Sequence, residues 1–394
     1  MRKDALRKRY AEEIPLSVLE DDPYPIFRRL QQEKPLVWLD NLGMWLLTRY
    51  ADVMHVITTP ELFTAETEPS FLADVLGVNM LTLEGAEARR IKTAMQPPFT
   101  ARGCAKDFVD NELASIANEL IDGFIDDGQV DLMPTYAEPI STASLQRCLG
   151  LDAIPREKMW GLCQGVCAGL ANFEGDPKLD QVYQKAKAEI EAIVRDKINS
   201  VRGNRDHSAI SYYVNGGHEL TDQEIVNNVR LMISGGINEP RDGIGMVIYA
   251  FLTHYHSSAG ATLDKSFWLK FTNEVLRLYS PVGTAARMTT QDTEVCGVTL
   301  PRGEFIASCL SAANRDPNFW EDPDDFVVGR SQKNHVAFAQ GQHRCLGLWL
   351  GLNEIIVGAS VLINRLPGLQ LDESHPIKFS GFEFRGPKEL HLRW

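Results

Sequence analysis

Hydrophobic and polar positions divide the chain into three stretches. Over residues 84–280, apolar side chains recur with helical spacing and charged side chains stand on the opposite face. Residues 20–80 mix short helices with two apolar runs of strand type. Residues 281–394 contain short β-branched runs separated by Gly, Pro and Asn, which is typical of strands and turns. The pattern predicts a mainly α fold with a smaller β portion. Because no Pro-, Gly- or Ser-rich linker separates the stretches, we expect a single domain over residues 1–394.

One predicted helix carries poor helix formers in its middle. Thr221 followed by Glu224 is typical of a capping box, and helical spacing then continues to Phe251. Within it lies SGGINEPRD, residues 234–242, where a proline follows two glycines. A proline inside a helix destabilises it by about 3 kcal/mol or more. We therefore predict one long helix with a local opening at Pro240, and such strain favours a functional site.

Composition and charge limit the partners and the compartment. The 394 residues carry a formal net charge of −13, which argues against nucleic acid as a general partner. The N-terminus lacks the apolar core of a signal peptide, and no apolar run is long enough to span a membrane. Seven scattered cysteines, an odd number, indicate free thiols in a reducing compartment. We expect a cytoplasmic protein that binds neither nucleic acid nor membrane.

The strongest chemical signal is the loop FAQGQHRCLG, from Phe338 to Gly347, which precedes an apolar helix. Its thiol, Cys345, would meet unpaired N–H groups and the positive end of the helix dipole. Both lower the pKa of a thiol and favour the thiolate, the form that binds metals. The alternative is that Cys345 is a buried small hydrophobic residue, and the loop alone leaves both interpretations open.

A second signal lies 71 positions before that cysteine. Glu274 and Arg277 are three residues apart on one predicted helix, a spacing that suits an ion pair. Arg330, in the segment FVVGR, supplies a further arginine that can join the pair. Glu-x-x-Arg followed by the cysteine loop is far more specific than either motif alone.

This conjunction resembles the cytochrome P450 family over nearly the whole chain, and the resemblance implies the fold of that family. It implies that Cys345 is the thiolate ligand of haem b and that Glu274, Arg277 and Arg330 form the structural network behind it. The residues that it places around the haem are Lys92, Arg287, Phe338, His343 and Gly347. Two departures stand out: Ala339 replaces the usual glycine of the loop, and Ala88 and Lys92 replace a histidine and an arginine.

The same resemblance places Asn238 and Glu239 above the haem, where the family usually has an acid–alcohol pair. It implies a monooxygenase that inserts oxygen into a C–H bond, with Glu239 as the proton-handling group. Since no Gly-x-Gly-x-x-Gly motif follows a strand, electrons must come from a ferredoxin or flavodoxin with its reductase. A carboxyl group at this position suits hydrogen peroxide as the oxidant equally well, so a peroxygenase remains an alternative.

The resemblance also locates the substrate pocket, and its apolar residues indicate a small, flat, aromatic ligand. The predicted lining residues are Phe71, Phe173, Ile237, Val282 and Phe382. With the Asn-Glu-Pro variant, this lining is similar to that of bacterial enzymes that O-demethylate methoxyphenols. Terpenoid, fatty-acid and biosynthetic hydroxylations stay open, as do a haem-based sensor or carrier and a zinc module.

Overall fold

Helices form most of the computed structural model, which describes residues 2–255, 263–330 and 334–394. They are α1 (Arg2–Tyr10), α2 (Leu16–Asp21), α3 (Tyr24–Glu33), α4 (Tyr50–Thr58), α5 (Phe71–Leu76), α6 (Gly85–Met95), α7 (Cys104–Asn111), α8 (Leu113–Asp122), α9 (Glu138–Leu149), α10 (Arg156–Leu170), α11 (Pro177–Val201), α12 (Ala209–Asn215), α13 (Asp222–His254), α14 (Lys265–Tyr279), α15 (Leu310–Ala313) and α16 (Leu348–Arg365). The prediction of a mainly α fold with a smaller β portion is confirmed.

The strands are short and gather near the two ends of the chain. They are β1 (Leu36–Leu39), β2 (Met44–Leu47), β3 (Phe63–Thr64), β4 (Gln129–Asp131), β5 (Thr284–Thr289), β6 (Thr293–Val295), β7 (Val298–Leu300), β8 (Phe305–Cys309), β9 (Gln370–Leu371), β10 (Phe379–Ser380), β11 (Gly386–Pro387) and β12 (His391–Arg393). The largest sheet has the order β1-β2-β8-β5-β3, in which only the β2–β8 pair is parallel. This sheet joins strands from residues 36–64 to strands from residues 284–309.

Helix α13 runs through the middle of the molecule, and the predicted capping box begins it. The Thr221 side chain accepts a hydrogen bond from the Glu224 N–H, and the Glu224 carboxylate accepts one from the Thr221 N–H. The helix has 33 residues and includes Pro240. The prediction of one long helix is confirmed, whereas the predicted opening is absent, since helical structure continues on both sides of the proline.

The helix α13 belongs to two hydrophobic cores, one on each side of Pro240. From Ile225 to Ile237 its apolar residues pack into a core shared with α10 and α11. From Ile244 to Ala250 they pack into a second core shared with α8, α14 and α16. The proline and its neighbours therefore lie where the packing of the helix passes from one core to the other.

No helix in the part of the chain that the structure describes is both long and apolar enough to cross a membrane.

Candidate active site

The cysteine loop ends at the start of α16, with Gly347 as the N-terminal flanking residue. The Cys345 N–H donates to the Phe338 carbonyl at 2.9 Å, which closes the loop, and the Phe338 ring packs against the second core. Ala339 has φ of +50°, in the left-handed region. A side chain in that region is strained by about 1 kcal/mol. The departure from glycine noted in the sequence therefore occurs at a position where the backbone favours glycine.

The Cys345 thiol is accessible yet poorly hydrated. Burial among protein groups raises the pKa of Cys345 to about 11, and the Gly347 N–H and the charge of Lys92 lower it by less. The Gly347 N–H at the helix N-terminus lowers the pKa of this thiol, as expected, but burial has the larger effect in the protein chain alone. Cys345 is thus exposed at the surface of the described chain while protein groups surround its thiol, and we call the recess in which it lies the cleft. Coordination to a metal ion is what would deprotonate it there.

Behind the loop, the structure brings Glu274, Arg277 and Arg330 into one buried network. The Glu274 carboxylate accepts two hydrogen bonds from Arg277, at 2.8 and 2.9 Å, and one from Arg330 at 2.8 Å. Arg277 is 1% exposed, and it also donates to the carbonyls of Asn314, Pro323 and Asp325. The network therefore ties α14 to the chain that leads into the cysteine loop.

Three side chains predicted to bind the cofactor lie in or beside the loop. Lys92 donates to the carbonyls of Gln342 and Arg344, both at 2.6 Å, so it holds the loop backbone. The His343 ring nitrogen lies 3.1 Å from a carboxylate oxygen of Glu84. Arg287 is 5% exposed, and this burial lowers the pKa of its guanidinium. The charge of the same Glu84 carboxylate raises that pKa by less.

These residues fit the haem b that the resemblance implies. Among the described residues, the hydrogen bond that Arg287 donates goes to the Ala286 carbonyl, which leaves further N–H groups for a carboxylate such as a haem propionate. A Cβ added to Gly347 would meet nothing within 4 Å, so the backbone after Cys345 borders open space. Open space therefore adjoins the residues that follow Cys345, and the side chains of Lys92 and Arg287 lie near the same loop.

One face of α13 borders the same cleft. Leu231, Gly235 and Glu239 are four residues apart and partly accessible, whereas Ile233 and Ile237 on another face are buried. The charge of Glu239 raises the pKa of Cys345, which places the carboxyl group and the thiol near each other. The stripe of accessible residues therefore lies on the cleft side of the helix.

The Glu239 side chain folds back along α13 over Gly235. A Cβ added to Gly235 would lie 3.5 Å from the Glu239 carboxyl group, and the second oxygen of that group is buried without a hydrogen-bond partner. Burial, and then the neighbouring Cys167, Asp242 and Glu383, raise the pKa of Glu239 well above its ordinary value. A carboxyl group with a raised pKa keeps its proton to a higher pH than an ordinary glutamate, which suits it to donate a proton.

Asn238, the other residue predicted to be catalytic, is 8% exposed. Its side-chain oxygen accepts a hydrogen bond of 3.4 Å from Gln164 on α10. This contact links α13 to α10, and the Asn238 side chain points toward that helix.

Two of the predicted pocket residues form an aromatic row. The rings of Phe71 and Phe173 stack with centroids 5.9 Å apart, and Phe173 packs against the hydrophobic cluster that contains Phe382. Val282 forms a backbone bridge to Phe384. Ile237 is 0% exposed within the first core, so it is a core residue and does not line the pocket as predicted.

Two acidic residues at the site are absent from the sequence-based prediction. Glu84 lies between His343 and Arg287, and its second carboxylate oxygen is buried without a partner. Glu383 lies in the C-terminal turn next to Phe382 and accepts a hydrogen bond of 2.7 Å from the Thr284 hydroxyl. Neither residue belongs to a local motif, so only their distant contacts reveal them.

Comparison with known proteins agrees on one family. The family model described as Cytochrome P450 matches residues 269–375. The pulcherriminic acid synthase of Bacillus subtilis (strain 168) is 26% identical over 393 residues, covering 95% of this chain and 96% of that protein. The vitamin D(3) 25-hydroxylase of Pseudonocardia autotrophica is 28% identical, covering 89% and 88%. The crystal structure of CYP109E1 from Bacillus megaterium in complex with testosterone has a TM-score of 0.84 at 24% identity, covering 94% and 97%.

Proposed function

The chain belongs to the cytochrome P450 family and is a monooxygenase that uses haem b, and from this premise we propose that it O-demethylates a small methoxyphenol. The observation that supports this most is the pairing of Glu239, a carboxyl group with a raised pKa, with the aromatic row of Phe71 and Phe173. The row favours a flat ring, and the acid lies where protons are needed.

Bound haem b supplies the insertion of one oxygen atom of O₂ into a C–H bond. Cys345 would hold its iron, and Arg287 and His343 would bind its carboxylates. When the oxygen atom enters a C–H bond of the methoxy group, the product is a hemiacetal. Its C–O bond then breaks to give a phenol and formaldehyde. Two electrons and two protons balance the step, and the second oxygen atom leaves as water. Glu239 would pass protons into the cleft from its carboxyl group.

Electrons would come from a separate protein, a ferredoxin or flavodoxin with its reductase.

A second proposed activity is peroxide-driven oxygen insertion, and the observation that favours it is again the carboxyl group of Glu239. An acid at this position can accept a proton from one oxygen of hydrogen peroxide and return it to the other.

A panel of ligands tests the proposed function. Purified holoenzyme should bind 2-methoxyphenol with a shift of its Soret band and, with a ferredoxin and reductase, release formaldehyde and catechol in equal amounts. Formaldehyde is measured by a colorimetric assay and catechol by chromatography. If a panel of methoxyarenes neither binds nor reacts, while a terpenoid or a fatty acid does, the proposed substrate class is wrong.

Replacement of Glu239 by glutamine should lower the rate of product formation about 100-fold, because an amide cannot deliver a proton and general acid catalysis contributes on this order. The dissociation constant of 2-methoxyphenol should stay the same, since the side chain keeps its size. Stopped-flow turnover and spectral titration measure the two quantities. The rate should fall with either oxidant.

Glu354→Gln is the matched control for that substitution. Glu354 is also a buried carboxyl group with a raised pKa, but it lies on α16 and accepts a hydrogen bond of 2.9 Å from Ser144. Its replacement should leave turnover unchanged. Equal rates for Glu239→Gln and wild type with both oxidants would contradict the role assigned to Glu239.

A further inference from the structure

Glu84 stands directly before α6, and its side chain turns away from that helix. A side chain at this position often accepts a hydrogen bond from an N–H of the first turn, yet the Glu84 carboxylate caps nothing in α6. One of its oxygens instead accepts a hydrogen bond of 2.7 Å from the N–H of Ala65, the residue after β3. The same oxygen lies 3.1 Å from Nε2 of His343. The carboxylate therefore joins three distant segments of the chain at the cysteine loop.

The backbone on both sides of His343 is held as well. Lys92 donates to the carbonyls of Gln342 and Arg344, both at 2.6 Å, one residue before and one residue after the histidine. His343 itself is 9% exposed. Lys92 therefore fixes where the histidine stands in the loop, whereas the contact with Glu84 fixes the direction of its ring.

The other nitrogen of this ring is left without a protein partner. Nε2 faces Glu84, and Nδ1 takes part in no hydrogen bond within residues 2–255, 263–330 and 334–394. Both nitrogens of a histidine ring can donate, and a carboxylate is a strong acceptor for such a donor. His343 lies two positions before Cys345, and in the proposed function it binds a carboxylate of the haem. Nδ1 is the nitrogen that the protein leaves available for that bond.

We propose that Glu84 is a positioning residue for the cofactor, because it holds the His343 ring with Nδ1 free for a haem carboxylate. The proposal rests on the haem site of the proposed function and does not depend on the substrate. Without the Glu84 carboxylate the ring can turn, so binding the haem must also order the ring, and that costs affinity. We therefore expect haem to leave such a protein faster.

Transfer of haem from the holoenzyme to an excess of apomyoglobin measures the rate of haem loss. Glu84→Ala should lose haem about tenfold faster than the wild type, because one hydrogen bond to a charged group contributes about that factor. Glu84→Gln should stay within about threefold of the wild type, since its amide oxygen still accepts hydrogen bonds.

Glu87→Ala is the matched control. Glu87 lies in the first turn of the same helix, but its side chain is 62% exposed and accepts a hydrogen bond of 3.0 Å from Arg90. Its replacement should leave the rate of haem loss unchanged. Glu84→Asp keeps the charge but is one methylene shorter, so it should also lose haem faster and provides the test if the alanine variant does not fold.

A double-mutant cycle with His343→Ala separates positioning from a general loss of stability. If Glu84 acts through His343, Glu84→Ala should change the rate of haem loss by less than about twofold in a His343→Ala protein. The same tenfold effect in both backgrounds would overturn the proposal, since Glu84 would then support the fold without positioning the ring. Unchanged haem loss in His343→Ala would overturn it too.

Resonance Raman spectra add a readout that does not depend on stability. The bending modes of the haem carboxylates report their hydrogen bonds, and these modes should shift in Glu84→Ala in the same direction as in His343→Ala. Unshifted modes in a folded Glu84→Ala protein would contradict the proposal. A wild type that oxidises no methoxyarene would overturn the proposed substrate and leave all of these expected results as they are.

Discussion

Replacement of Cys345 by serine is expected to remove the red-shifted Soret band of the reduced, carbon monoxide-bound protein and to reduce turnover to background. The band requires thiolate bound to the haem iron, and the serine hydroxyl does not replace it under these conditions. The same thiolate favours cleavage of the O–O bond, so its loss stops the chemistry as well as the spectrum. Difference spectroscopy and formaldehyde release measure the two effects.

Cys104→Ser is the matched control for that experiment. Cys104 is also a free thiol at the first residue of a helix, α7, and burial raises its pKa. Its side chain contacts the carbonyls of Pro98 and Cys148, away from the cleft. The control variant should keep both the spectrum and the activity. A Cys345→Ser protein that retains the red-shifted band would show that another group binds the iron.

Replacement of Arg277 by leucine is expected to lower the free energy of unfolding by about 3–5 kcal/mol. The change leaves the Glu274 carboxylate, which is 5% exposed, without its main partner. It also leaves three backbone carbonyls without the donor that they share. Urea unfolding followed by circular dichroism measures the loss. Arg277→Lys should be intermediate, since lysine keeps the charge but not the fork of donors.

An exposed pair provides the comparison. Arg202 donates to Asp222 at 2.7 Å, and their side chains are 56% and 45% exposed. Arg202→Leu should change the free energy of unfolding by less than about 1 kcal/mol, because solvent screens such a pair. If Arg277→Leu were as mild as this control, the network would not hold the loop in the way that its contacts indicate.

The parts of the fold that depend on local sequence could be predicted. The capping box of Thr221 and Glu224 needs residues three apart, and the pair of Glu274 and Arg277 lies on one turn of α14. Both were visible as spacings. The continuity of α13 through Pro240 was not visible in the sequence. The rule that a proline breaks a helix describes an isolated helix, whereas α13 packs into a hydrophobic core on each side of Pro240.

Contacts between distant segments could not be predicted. Glu84 meets His343 across 259 positions, and Glu383 meets Thr284 across 99. No periodicity or motif marks either acid: Glu84 directly precedes α6, and Glu383 stands between two phenylalanines near the C-terminus. The effect of burial on the pKa of Cys345 was not foreseen for a related reason. The helix N-terminus is a local feature that the sequence reveals, whereas the burial that outweighs it comes from the whole fold.

The passage of α13 through two cores has a consequence for how the molecule opens. Separating those cores requires breaking a helix of 33 residues, and its weakest point is Pro240, beside Glu239. We therefore expect local unfolding of the central helix to begin at the active site. A ligand that binds in the cleft opposes this opening and raises the stability of both cores together by mass action. Occupancy of the site and the rigidity of the whole molecule are in this way linked.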